Sequence, residues 1–149
     1  MKPIRLLIVD DHIITRKGIF MFLSTEPDIE IVGEAESGPE AVWRARALRP
    51  DVILLDLVMP QGDGLDAIPH LKQDLPDVKI IVLTTFDDES RVKAALKAGA
   101  NGYLLKDANG ATLLQAIHAV QNGGVPLIPS LPSICSKKRI KLTITAIPT

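Results

Sequence analysis

Five short runs rich in Ile, Val and Leu recur along the chain: IRLLIV from Ile4, IEIVGEA from Ile29, VILLD from Val52, KIIVLT from Lys79 and GYLLK from Gly102. Each has strand length. Their apolar residues are largely consecutive instead of alternating with polar ones, which is the pattern of strands covered on both faces. Between and after them lie segments of helical spacing: Ile14, Gly18 and Met21 with Phe22; Val42, Ala45 and Arg46; Leu65 to Leu71; Val92, Ala95 and Leu96; and Leu113, Leu114, Ile117 and Val120. Strand and helix therefore alternate, and the pattern predicts an α/β fold with an open parallel sheet and helices on both faces.

In such a sheet, sites form outside the carboxyl ends of the strands, at the point where strand order reverses. Asp10 and Asp11 follow the first run, Asp56 ends the third, Thr84 ends the fourth and Lys106 ends the fifth. All are predicted to converge on one edge. Turn signals punctuate the plan at Met59-Pro60-Gln61-Gly62-Asp63-Gly64, at Ala98-Gly99-Ala100 and at Asn122-Gly123-Gly124.

The 149 residues, 46% of them apolar, suffice for one domain with a buried core. Residues 1–124 are that domain, because helical periodicity stops at Gly124. Residues 125–149 hold Pro126, Pro129, Pro132 and Pro148, a basic cluster at Lys137-Lys138-Arg139 and no acid, and read as a linker-like or disordered tail. Within it Ile140, Leu142 and Ile144 alternate with Lys141, Thr143 and Thr145, a pattern suited to a strand and not to a helix. The net charge of -1 gives no general basic field for nucleic acid. The single Cys135 excludes an intrachain disulfide, and Asp10 and Asp11 interrupt the N-terminal apolar run before it reaches signal or membrane length. A cytoplasmic protein without membrane contact is expected.

Carboxylates crowded together repel, by about 4 kcal/mol for a pair 4 Å apart at an effective dielectric near 20. Asp10, Asp11 and Asp56 therefore call for a cation. Mg²⁺ suits them, since it takes few protein carboxylates, keeps waters and binds phosphoryl oxygens. Lys106 adds a point charge. If phosphoryl chemistry occurs here, the Asp56 carboxylate is the nucleophile, and the Thr84 hydroxyl is placed to bond a phosphoryl oxygen. Taken singly, each residue has a plainer role: acids at strand ends cap helices, threonine favours strands, and lysine is solvated. His12 reads as a helix-start residue without a catalytic part, and Tyr103 as a half-buried strand residue. The joint placement at the ends of four runs carries the chemical reading.

The segments VDDH, LLDLVMPQGDG, VLTTF and GYLLKD resemble the receiver domain of two-component response regulators, and the resemblance covers residues 4–124. It implies a flavodoxin-like fold with strand order 2-1-3-4-5. It implies Asp56 as phosphoacceptor, Asp10, Asp11 and Asp56 with the Val58 carbonyl as Mg²⁺ ligands, and Thr84 and Lys106 as phosphoryl contacts. Tyr103 resembles the rotameric aromatic that follows Thr84 in switching. A sensor histidine kinase is the implied donor, with homodimerisation on phosphorylation and slow loss of the phosphoryl group. Lys106 is followed by Asp107, where many receivers have a proline in cis linkage.

AGANGYLLKDA, a helix and then QNGGVPLIPS resemble the NarL/LuxR type, whose members continue into a helix-turn-helix domain. No second helical periodicity follows Pro129, so the chain itself is expected to show no sequence-specific DNA binding. Two outputs stay open: transcription control in a full-length form that truncation or a frame change has shortened, or a stand-alone receiver in protein signalling or phosphorelay. A conventional phosphatase is disfavoured, because Asp10 and Asp11 are adjacent and not spaced Asp-x-Asp.

Overall fold

In the computed structural model, which describes residues 2–57, 64–84 and 89–123, all five apolar runs are parallel strands. They are β1 (Ile4–Val9), β2 (Ile29–Ala35), β3 (Val52–Asp56), β4 (Lys79–Thr84) and β5 (Gly102–Leu105), hydrogen-bonded in the order β2-β1-β3-β4-β5. The helices are α1 (Ile13–Leu23), α2 (Gly38–Leu48), α3 (Gly64–Asp74), α4 (Glu89–Ala98) and α5 (Gly110–Gln121). α1 packs beside α5, while α2, α3 and α4 form a second contiguous layer. The expected architecture and strand order are both present.

Burial explains the sequence pattern. Every residue of β3 is buried, and Leu6 to Val9 of β1 are 0% exposed. A strand with neighbours on both sides and helices above and below has no solvent face, so its sequence does not alternate. β2 is the edge strand beside β1, with Glu30 exposed and its middle half-buried. Its register slips by one residue where Leu6 faces Ile31 and Leu7 faces Gly33, leaving a bulge at Val32.

Local chemistry sets the helix ends. The Ser37 hydroxyl accepts the Glu40 N–H at 3.2 Å, and the Glu40 carboxylate accepts the Glu36 N–H at 2.8 Å, so both side chains satisfy orphan donors at the start of α2. That backbone hydrogen bond holds the Glu40 carboxyl below its ordinary value of 4.5, with smaller help from Arg44. Asn109 caps α5 by accepting the Thr112 N–H at 2.8 Å. α4 closes on Gly99, whose φ of 126° lets the Ala100 N–H reach the Ala95 carbonyl at 2.9 Å.

Two expectations need adjustment. The fifth run ends at Leu105, so Lys106 opens the following turn instead of ending the strand, with its N–H on the Thr84 carbonyl at 2.8 Å. In α1 the residues of helical spacing point outward: Ile14 is 84% and Met21 69% exposed, while Arg16 and Leu23 are buried. α5 behaves as its spacing predicts, burying Leu113, Ala116, Ile117 and Val120. No helix among the described residues is long and apolar enough to cross a membrane.

Candidate functional site

The order of strands reverses about β1 and β3, the position at which sites form beyond the carboxyl ends of an open parallel sheet. Register brings the polar residues to one level. Val9 lies opposite Leu55, Asp56 opposite Leu83 and Thr84 opposite Leu105, so the residues just beyond β1 and β5 meet the last residues of β3 and β4.

Asp10 is 0% exposed and Asp56 1%, while Asp11 is half-buried. The Asp10 N–H is held by the Ala35 carbonyl at 3.0 Å, and its Oδ1 accepts the His12 N–H at 2.8 Å. Lys106 reaches in from the turn after β5. Its Nζ donates to Asp56 Oδ2 at 3.1 Å and lies 3.5 Å from Asp10 Oδ2. The four groups expected from the sequence at this edge, namely the acid pair, Asp56, Thr84 and Lys106, are thus assembled, and Thr84 is 2% exposed at the end of β4.

One lysine does not balance three carboxylates. One donor atom each from Asp10, Asp11, Asp56 and His12 lie within 4.8 Å of one another. Asp10 Oδ2 and Asp11 Oδ1 are buried yet accept no hydrogen bond from the described residues. Buried carboxylate oxygens without hydrogen-bond donors are costly unless cations face them, and Lys106, shared between Asp56 and Asp10 Oδ2, serves only part of the cluster. The acidic cluster therefore fits a hard divalent ion of the Mg²⁺ kind, with carboxylate oxygens as ligands.

Several residues that build the site were not assigned to it from the sequence. Arg16 is buried inside α1, where its Nη1 donates to the Asp10 carbonyl and its Nε to Glu34 Oε1 at 2.8 Å. It ties the loop carrying the acids to the edge strand β2. The only signal in the sequence is a charge amid an apolar helix, which reads equally as a solvated face. Gly64 is a second case: a Cβ there would sit 2.1 Å from the Asp56 carbonyl oxygen, so no side chain fits beside the acid-bearing strand. A glycine in the turn MPQGDG was visible, but not what it touches.

His12 is the third. It does start α1, as its N-cap, but its side chain makes no capping hydrogen bond. The ring turns into the cluster, with Nδ1 at 3.1 Å from Asp10 Oδ1 and 3.2 Å from Asp11 Oδ1. Tyr103 differs from expectation in degree: at 1% exposed it is buried, not half-buried, beside Val82. Val58 and residues 125–149 lie outside the described residues.

The sequence of residues 6–118 matches the family model of the response regulator receiver domain. The chain belongs to that family. Among its relatives, the response regulator protein VraR of Staphylococcus saprophyticus is 42% identical over 120 residues, 80% of this chain and 57% of the relative, and that of Staphylococcus aureus is 43% identical over the same span. The chain thus spans 57% of the length of these curated relatives. A LuxR-family response regulator from Aurantimonas superposes with a TM-score of 0.84 at 30% identity, covering 93% of this chain and 99% of that one. The receiver domain of a putative NarL regulator from Mycobacterium tuberculosis gives 0.77 at 32% identity, covering 83% and 99%. This receiver is accordingly that of a two-component response regulator related to the NarL/LuxR type. Receiver domains of this family work with histidine kinases, and a related RcsB has been solved as two dimers bound to two parallel DNAs.

Proposed function

We propose that Asp56 accepts a phosphoryl group from the phosphohistidine of a partner sensor kinase, and that the modified receiver then presents a changed surface. The observation that carries this reading is the placement of Lys106 Nζ between two buried carboxylates, 3.1 Å from Asp56 and 3.5 Å from Asp10, at the open ends of the strands. A carboxylate so placed is a nucleophile whose charge is screened without being removed.

In the transfer, an Asp56 carboxylate oxygen forms the new O–P bond as the N–P bond of the donor histidine breaks. Asp10, Asp11 and Asp56, with the Val58 carbonyl that the family resemblance implies, would hold Mg²⁺. When bound, that ion neutralises charge on the transferring phosphoryl oxygens. Lys106 pairs with the phosphoryl oxygen on its own side, and the Thr84 hydroxyl closes on another. Tyr103, buried on the neighbouring strand, then repacks and carries the change outward toward α4 and α5. Phosphorylation biases the receiver toward self-association, and slow hydrolysis of the acyl phosphate resets it. In a full-length form its output is control of transcription, as in the NarL/LuxR-related regulators. The tail of residues 125–149 contributes no sequence-specific DNA contact.

Intact-mass analysis after incubation with acetyl phosphate and Mg²⁺ tests the acceptor. Wild type should gain one phosphoryl group and Asp56→Asn none, because an amide cannot form the acyl phosphate. Equal labelling of the two proteins would remove Asp56 from the role. Labelling that survives a chelator, or survives Asp11→Ala, would remove the metal.

A further inference from the structure

His12 stands in the acid cluster in a way that no arrangement of its own protons satisfies. Nδ1 lies 3.1 Å from Asp10 Oδ1, 3.2 Å from Asp11 Oδ1 and 3.8 Å from Asp56 Oδ2. The same atom is 3.1 Å from Lys106 Nζ. If Nδ1 carries a hydrogen it can donate to Asp10, but it then confronts the lysine as donor against donor. If Nδ1 is bare it accepts from Lys106, and its lone pair faces two carboxylate oxygens at close range. A cation among these atoms removes the conflict, since a bare ring nitrogen and the carboxylates would all direct lone pairs at it, while Lys106 turns its hydrogens to Asp56 Oδ2 alone.

The spacings suit such a shell. With metal–ligand bonds near 2.1 Å, neighbouring octahedral ligands lie about 3.0 Å apart. The two shorter His12 distances, 3.1 and 3.2 Å, are close to that edge, and 3.8 Å falls between an edge and a diagonal. The ring is also placed by the backbone, because the His12 N–H is fixed on Asp10 Oδ1 at 2.8 Å. Of these oxygens Asp11 Oδ1 is buried and accepts no hydrogen bond from the described residues, and Asp10 keeps a second such oxygen, Oδ2, beside the Oδ1 that accepts the His12 N–H.

We infer that His12 Nδ1 is a ligand of this site, which makes it a mixed nitrogen–oxygen site and raises its preference for first-row transition cations over Mg²⁺. Imidazole favours such ions far more than it favours Mg²⁺, which selects oxygen. The inference rests on the reading of the acids as a divalent-cation site, and it adds a determinant of which ion is held. Where Mn²⁺ or Zn²⁺ is available alongside Mg²⁺, the ion occupying the receiver would then depend on this one side chain.

The test is a Co²⁺ titration of the full chain, followed by visible absorption, with Mg²⁺ added as competitor. His12→Gln should weaken Co²⁺ binding about tenfold or more and alter the absorption bands, while the Mg²⁺ constant moves less than about threefold. The ring makes no capping bond, so the variant should fold as wild type does. A Co²⁺-to-Mg²⁺ ratio unchanged by His12→Gln, with binding still lost in Asp11→Ala, would overturn the inference and leave the acid site standing. Co²⁺ binding that is the same in wild type and Asp11→Ala would overturn the acid site itself. A readout that needs no variant is the imidazole ¹⁵N spectrum of wild type: Zn²⁺ should shift His12 Nδ1 specifically. An unmoved resonance at saturating Zn²⁺ refutes ligation.

Discussion

α1 and α5 pack side by side, yet they use their residues in opposite ways. α5 buries Leu113, Ala116, Ile117 and Val120, one apolar stripe at helical spacing, and an asparagine caps its start. α1 buries an arginine and Leu23, leaves Ile13, Ile14, Met21 and Phe22 exposed, and starts on a histidine that does no capping. α5 is held by the hydrophobic effect and standard end chemistry. The inner side of α1 serves the site instead: Arg16 fixes the acid loop, and His12 enters the cluster. With Arg16 taking a buried position beside Leu23 and Ile19 only partly buried against the core, most of the apolar surface of α1 is left outside. A groove of about 340 Å³ lies between the two helices, lined in part by Ile14, Phe22, Lys106 and Leu113, so the apolar surface of α1 runs up to the site lysine.

The largest effect should come from the core stripe. Ile117 is 0% exposed, and Ile117→Ala removes three buried carbons and leaves a cavity, at a cost of roughly 2–5 kcal/mol in unfolding free energy. Urea denaturation followed by circular dichroism measures it. A loss below 1 kcal/mol would mean that α5 is not the anchoring helix, and the contrast with α1 would collapse.

That contrast also shows what can be read from sequence. The five strands were legible because a strand buried on both faces needs little orientation: consecutive apolar residues suffice. The site acids, Asp56, Thr84 and Lys106 were legible because their positions at strand ends follow from the same runs. The direction of α1 was not, since helical period gives the spacing of a stripe and not the side it faces. Ile14, Gly18 and Met21 with Phe22 satisfy that spacing and face outward. Arg16 and His12 were missed for a related reason: each takes its meaning from partners elsewhere in the chain, Glu34 on β2 for the one and Asp56 on β3 for the other. Gly64 is similar, its lack of a side chain being dictated by the Asp56 carbonyl it touches.

A smaller effect on folding, but a specific one on the site, should follow from Arg16→Met. The substitution keeps much of the side-chain volume and removes the donors to the Asp10 carbonyl and Glu34. Glu34 is one-quarter exposed and can be rehydrated, so the expected loss is about 2 kcal/mol and not that of a wholly buried pair. Divalent-cation affinity should fall by more than this loss of global stability can explain, because Asp10 loses the group that fixes its backbone while the folded fraction stays high. Calorimetric Mg²⁺ titration, paired with the denaturation curve, separates the two. Unchanged affinity would make Arg16 a purely structural residue of α1.

The smallest effect on stability is expected where the sequence looks most like core. Ile14 is the second residue of α1, an aliphatic side chain at a position whose spacing matches Gly18 and Met21, and a reading by pattern alone would bury it. At 84% exposed it has little apolar surface left to lose to water on unfolding. Alanine at this position has better helix propensity than isoleucine, by a few tenths of a kcal/mol, since the β-branch loses side-chain freedom in a helix. Ile14→Ala should therefore leave unfolding free energy within about 0.5 kcal/mol of wild type, because these two contributions oppose each other. Side by side with Ile117→Ala, the same chemical deletion on two adjacent helices should differ several-fold in cost. If Ile14→Ala instead costs more than 1.5 kcal/mol in the monomer, the outer face of α1 is packed in solution, and the division of labour between the two helices is wrong.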